Sequence, residues 1–283
     1  MALNARLLLI AIVSSVLLSG CVNLRAVNDY SNHSVEGLHT IEELGFSFEG
    51  FCLHNCELEQ MQNAKFVTTL NCDCNTAHVN DSVTMLILNV VRGYFQGMAN
   101  LSANELITYN TDTLTNAITQ GNFGSLRLDH STTVAFGSIT NILLRAFADQ
   151  YRRKHINRFI EEANQPIQAL VRALQQITGT EIKRLYTSLE TRYQVFYDQV
   201  LLTTSSGYEK AKAVQEYYAQ INMLKAKERQ IDAISQSLDA IAKGHQLLYD
   251  HRNKLTVKDL QQQITLYSSQ IGDLISQFHI FKI

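Results

Sequence analysis

Cysteine is the residue of this chain best suited to covalent or metal chemistry. Of its five copies, four sit close together: Cys52 and Cys56 in Phe-Cys-Leu-His-Asn-Cys, and Cys72 and Cys74 in Asn-Cys-Asp-Cys. Disulfide formation is one chemistry open to them, and four cysteines allow three pairings. A bridge inside Cys72-Asp-Cys74 is strained. Cys52 and Cys56 on one helical face run alongside each other rather than toward each other. Bridges between the two segments remain. Four residues of helix advance about 6 Å and two of extended chain about 6.6 Å, so the pairs can lie side by side. A tight connection runs the segments antiparallel and predicts Cys52–Cys74 and Cys56–Cys72. The alternative is a metal site, because His54 lies between the first pair and His78 follows the second. Mixed thiolate and imidazole sets bind zinc or cuprous copper. Here the spacing departs from the usual Cys-x-x-Cys, whose absence also removes the usual redox-active pair. The redox compartment decides between bridge and metal.

The compartment is written at the start of the chain. Arg6 gives a short basic region, Leu7–Leu18 is a nearly unbroken apolar run, and Leu18-Ser19-Gly20-Cys21 closes it with small residues and a thiol. A run this short reads as the apolar core of a signal peptide, since a spanning helix needs roughly 20 apolar residues. The Leu-Ser-Gly-Cys ending resembles the lipobox of bacterial lipoproteins. That resemblance covers residues 1–21 only. It implies cleavage before Cys21, lipidation of Cys21 as the new N-terminus, and anchoring in the cell envelope by several acyl chains, which hold where a single chain binds only weakly. Val22 stands where an aspartate would retain the protein at the inner membrane, which favours the outer membrane. An oxidising compartment in turn favours the disulfides. The covalent lipid is the only cofactor-like group expected.

Other chemistry is sparse. The chain carries 24 Lys and Arg against 26 Asp and Glu, so the basic domain or stripe of a nucleic-acid binder is missing. It has none of Gly-x-Ser-x-Gly, His-Glu-x-x-His, a P-loop or Gly-x-Gly-x-x-Gly. A lone Glu36-x-x-His39 is half of what a di-iron bundle needs. Asp129-His130 and Asp250-His251 are sequence neighbours that point to different sides of a helix. No enzyme activity is expected. The basic stretch Tyr151–Arg158 is followed by Glu161 and Glu162, which reads as a solvated helix face with local ion pairs; anionic lipid or an acidic partner is the sharper alternative. Tyrosines at helical spacing, from Tyr186 through Tyr193, Tyr197, Tyr208, Tyr217 and Tyr218 to Tyr267, read as core or boundary residues, with a partner groove as the alternative.

The elements that must position these residues are helices. One proline and no tryptophan occur, and good helix formers crowd the second half. The expected division is a signal peptide at 1–20, a lipidated tether with a possible short helix at 21–44, a cysteine-rich irregular segment at 45–79, a helical subdomain at 80–130 and a long-helix bundle at 131–283. Within these, Asp81 or Ser82 is expected to cap a helix along Val83, Leu86, Val90, Tyr94 and Met98. Ser102–Glu105 has the form of a capping box for the next helix, running to about Gln120. Pro166 is expected to kink or divide the stretch 131–178, and Gly179 to end it. A further helix carries Ile182, Leu185, Leu189, Phe196 and Val200 on one face. Ser206–Glu209 then opens a helix reaching Asn253, about 70 Å long, with a seam of Val214, Tyr217, Ile221, Leu224, Ile231, Leu238 and His245. The last helix repeats in heptads, with Val257, Ile264, Ile271 and Phe278 in one position and Leu260, Tyr267, Leu274 and Phe281 in the other.

The fold class is therefore all-α, an elongated antiparallel bundle of long helices with a small disulfide-linked segment near the N-terminus. The expected function is a non-enzymatic binding, scaffolding or assembly factor, lipid-anchored in the envelope, with a protein partner met through a face such as 134–148. The C-terminal heptads offer a route to homo-oligomers. The alternatives are a metal-binding envelope lipoprotein using Cys52, His54, Cys56, Cys72, Cys74 and His78, and a membrane-perturbing helical protein that inserts 134–148 or 83–101.

Overall fold

The computed structural model of the chain describes residues 24–63, 71–106 and 130–282. Among these it contains helices and no strand. The α-helices are α1 (Arg25–Glu43), α2 (Phe48–Gln62), α3 (Asn75–Ala103), α4 (His130–Ala148), α5 (Ile156–Gln176), α6 (Lys183–Thr203), α7 (Gly207–Asp250) and α8 (Lys258–Ile280). Residues Ile177–Ile182 form a π-helical turn that joins α5 to α6.

Two cores lie along the molecule. The larger takes residues from α1, α3, α4, α5, α7 and α8, with Phe48 at the start of α2, and runs from Leu24 to Phe278. The smaller gathers Leu58 of α2, Leu189, Tyr193 and Tyr197 of α6, and Ala213, Ile221 and Leu224 of α7. α7 belongs to both. Its 44 residues span about 66 Å. The C-terminal half packs in the six-helix body, and the N-terminal half forms an antiparallel hairpin with α6 that projects beyond it. α2 lies against that hairpin. Helix length thus makes the molecule a body with a protruding arm.

Several local features differ from the sequence reading. The helix possible within 21–44 is present as α1, buried at the centre of the body rather than lying in a tether: Tyr30 and Leu38 are inaccessible, and α1 packs on both α3 and α8. Two of its serines are satisfied within the helix. Ser31 Oγ donates to the Val27 carbonyl at 2.6 Å and Ser34 Oγ to the Tyr30 carbonyl at 2.8 Å. Small residues also let α1 approach its neighbours closely. A Cβ on Gly37 would stand 2.6 Å from Ser237 Oγ, and a Cβ on Gly244 of α7 would stand 2.5 Å from the Tyr30 ring.

α3 begins at Asn75, so Asp81 is interior to it. Asp81 caps α2 instead, accepting from the Phe48 and Glu49 amides at 2.7 and 3.0 Å. Ser102 to Glu105 closes α3, with Asn104 left-handed at φ 68°, and opens no helix there. The expected run to Gln120 lies outside the described residues, as does the stop at Gly121–Gly124.

Pro166 sits inside α5 without dividing it. Ile156, Phe159, Ile160 and Ala163 before it and Ile167, Leu170 and Leu174 after it all face the core. Packing on both sides outweighs one lost backbone hydrogen bond. The break in 131–178 falls at 149–152 instead. Gly179 does not stop the chain, because it lies in the π turn where a Cβ would come within 3.0 Å of Ser235 Oγ. The glycine serves close packing on α7, not a helix end. One core takes residues from α3 as well as from α4, α5, α7 and α8, so the described residues on either side of 130 pack together.

The connections at Thr204–Ser206 and between α7 and α8 are short, and the latter contains a 3₁₀ turn at Arg252–Lys254. Both sit where the sequence places breaks. Leu260, Ile264, Ile271, Leu274 and Phe278 of α8 are buried against α1 and α7. The heptad seam is therefore filled by its own chain.

Candidate functional site

Two disulfides staple the chain beside the arm. Cys52–Cys74 and Cys56–Cys72 join α2 to the residues just before α3, with Cα atoms 5.9 and 6.3 Å apart. This is the antiparallel pairing that the Cys-x-x-x-Cys and Cys-x-Cys spacings predict. The segment is more regular than expected, because Cys52 and Cys56 occupy a true α-helix, capped by Ser47. The four sulfurs being bridged, they present no thiolate. His54 and His78 do not meet either. His54 Nε2 is 2.7 Å from the Tyr193 hydroxyl, while His78 Nδ1 is 2.9 Å from Glu49. No group of three His, Cys, Asp or Glu among the described residues converges on a metal-sized point. The donor set proposed from the sequence is thus divided between bridges and two separate pairs.

The staple fixes α2 so that Leu58 and the His54–Tyr193 contact close the small core. Tyr193 and Tyr197 are buried there, and burial raises both hydroxyls above the ordinary tyrosine range. Tyr197 meets Tyr217 edge-on at 5.8 Å, and Tyr217 meets Tyr218 at 5.5 Å. The tyrosine series thus divides along the arm. The inner rings are core, whereas Tyr208 and Tyr218 are 77% and 59% exposed. Leu202, 87% exposed, and Val195 add aliphatic surface near the same tip.

The body holds a polar cluster that the sequence reading placed only as a seam position. His245 of α7 is inaccessible and lies between Tyr94 of α3 and Asn164 of α5. Asn164 Nδ2 donates to Gln246 at 3.1 Å, so its Oδ1 is the acceptor facing His245. His245 Nδ1–H therefore donates to Asn164 at 3.0 Å, and Nε2 accepts from the Tyr94 hydroxyl at 2.7 Å. Both ring nitrogens are satisfied in the neutral form. Burial lowers the His245 pKa from the ordinary histidine value to about 3. Tyr94 stacks on Phe159 with ring centroids 4.8 Å apart. The cluster couples three helices and has no opening to solvent at His245, which suits packing specificity rather than catalysis.

The basic stretch after Tyr151 divides as well. Arg158 pairs with Glu162 at 2.7 Å, Arg145 also pairs with Glu162, and Arg252 pairs with Glu161 at 2.8 Å. This is the ion-paired helix face expected from the sequence. Arg153 and Lys154 turn away from it and line a pocket at the end of the body nearest Leu24. α4, which holds the 134–148 face, buries Phe136, Ile139, Ile142 and Leu143 and leaves Val134 and Phe147 exposed. Among the described residues no helix is long and apolar enough to cross a membrane. Cys21 and the apolar run before it lie outside the described residues. Neither a family model nor a curated protein nor a solved structure matches the chain.

Proposed function

We propose that this chain is a lipid-anchored protein of the bacterial cell envelope that acts as a non-enzymatic binding or scaffolding element. In this reading acylated Cys21 holds the body to the membrane, with the outer membrane favoured by Val22. The arm presents its tip to a protein partner. The observation that carries the reading is the placement of the two ends. Leu24, three residues after Cys21, lies beside Arg252 and Leu255 at the C-terminal end of α7. The arm tip lies at the other end of the same helix, about 66 Å away. A lipid at one end and exposed Leu202 and Tyr208 at the other suit a spacer that offers apolar and aromatic anchors at a distance from the bilayer. The disulfides support the reading because they brace the arm where it leaves the body.

Photocrosslinking in the native envelope tests it. A photoreactive residue at Leu202 or Tyr208 is predicted to give a discrete adduct that disappears when Cys21→Ser releases the protein. A probe at Leu266, exposed on the body, is predicted not to give that adduct. Identical labelling from tip and body, or an adduct indifferent to the anchor, contradicts the proposal.

A further inference from the structure

At the body end beside Leu24 lies a cavity of about 340 Å³. Its floor is apolar and buried, made by Leu24, Ile156 and Leu255. Arg153, Lys154, Arg252, Asn157 and Asn253 line the cavity as well. No carboxylate lines it. Two of the cations are held in place by the body. Arg153 donates to the Ser102 carbonyl at 2.8 Å, and Arg252 donates to the Tyr249 carbonyl at 2.9 Å while lying 4.5 Å over the Tyr249 ring. Glu161 satisfies one side of Arg252 at 2.8 Å. Lys154 and Asn253 are exposed at the mouth.

We propose that this pocket seats the headgroup of an anionic phospholipid. Guanidinium, ammonium and amide donors over an apolar floor match a phosphate joined to the beginning of acyl chains. Position names the source. Cys21 is three residues from Leu24, and three extended residues reach at most about 11 Å. A chain anchored through Cys21 therefore holds this mouth at the headgroup layer, where basic groups gain most from anionic lipid. The proposal rests on the lipid-anchored reading for that proximity. The bound headgroup would fix the tilt of the body, and so the direction of the arm, which a flexible acyl tether alone leaves free.

Native mass spectrometry of the full-length protein, extracted from its envelope in non-ionic detergent, tests both readings separately. The intact mass reports acylation of Cys21, and mass released on activation reports any phospholipid held without a covalent bond. One phosphatidylglycerol-class lipid per chain is expected. Lys154→Glu combined with Asn253→Asp should lower its retention at least tenfold with unchanged helical content, since both side chains are exposed. Titration with dihexanoyl-phosphatidylglycerol should bind at least tenfold more tightly than dihexanoyl-phosphatidylcholine or inorganic phosphate. Acylated protein that retains no anionic phospholipid overturns the pocket and leaves the anchor standing. Unacylated protein that retains it overturns the anchor and leaves the pocket. Equal binding of phosphatidylcholine, or phosphate binding as tight as the lipid, overturns the headgroup assignment.

Discussion

Reducing the two disulfides should release α2 while the body stays folded. The bridges close loops of 22 and 16 residues, and the shorter loop is nested in the longer. Chain-entropy reasoning gives the inner bridge roughly 3 kcal/mol and the outer one about 2 kcal/mol, because the inner closure already shortens its loop. Against this, α2 has little else to hold it. Only Phe48 and Leu58 of its 15 residues are buried, worth roughly 1.5–3 kcal/mol each, and the Asp81 and Ser47 caps add about 1 kcal/mol apiece. An isolated helix of this length is marginal in water. Losing about 5 kcal/mol should therefore shift α2 from docked to detached. Hydrogen exchange with and without a phosphine reductant reads this directly. Amides of 48–62 should lose protection by a thousandfold or more, at a tenfold per 1.4 kcal/mol, while α1, α3 and α5 keep theirs. Persistent protection of α2 after complete reduction would refute the reasoning. So would loss of protection across the body, since the staple would then hold both cores.

Two further outcomes follow from the body. His245 is neutral when folded, with a pKa near 3 against an ordinary value of 6.5, so the unfolded chain binds its proton first. Its contribution is present above pH 6.5 and declines as pH falls toward 3, by a total on the order of 4–5 kcal/mol; denaturant midpoints across that range should drop, and His245→Phe should flatten that part of the profile. Gly244→Ala places a methyl 2.5 Å from the Tyr30 ring, whose hydroxyl is tied to the Ile241 carbonyl. The overpacking should cost about 1–3 kcal/mol, visible as a lower thermal midpoint that Tyr30→Leu partly restores.

What the sequence discloses here is what periodicity and covalent geometry decide. The α7 and α8 seams, the short connections at Thr204–Ser206 and after Asp250, and the disulfide pairing rest on repeats and spacings that few arrangements satisfy. What it hides depends on tertiary partners. α1 reads as a weak helix because Asn28, Ser31, Asn32 and Gly37 lower its propensity, yet Gly37 is what lets it lie close against α7 and α8. Gly179 has the look of a helix end, and only Ser235 across the interface shows that it is a packing contact. Pro166 similarly promises a break that the flanking core residues override. The His245 cluster left one legible signal, a histidine at an apolar seam position, but its partners Tyr94 and Asn164 come from distant helices that spacing within α7 cannot reveal. The pocket at Leu24 is assembled from three separated stretches and is invisible without the fold.

The intact mass and N-terminus of the mature protein, recovered from fractionated envelopes, bear most directly on the mode of attachment. Anchoring through Cys21 predicts a chain that begins at Cys21, carries several acyl chains and sediments with membrane, and a Cys21→Ser variant that is neither acylated nor retained there. A mature chain that starts elsewhere, or an unmodified Cys21 in protein still held by the membrane, would contradict it.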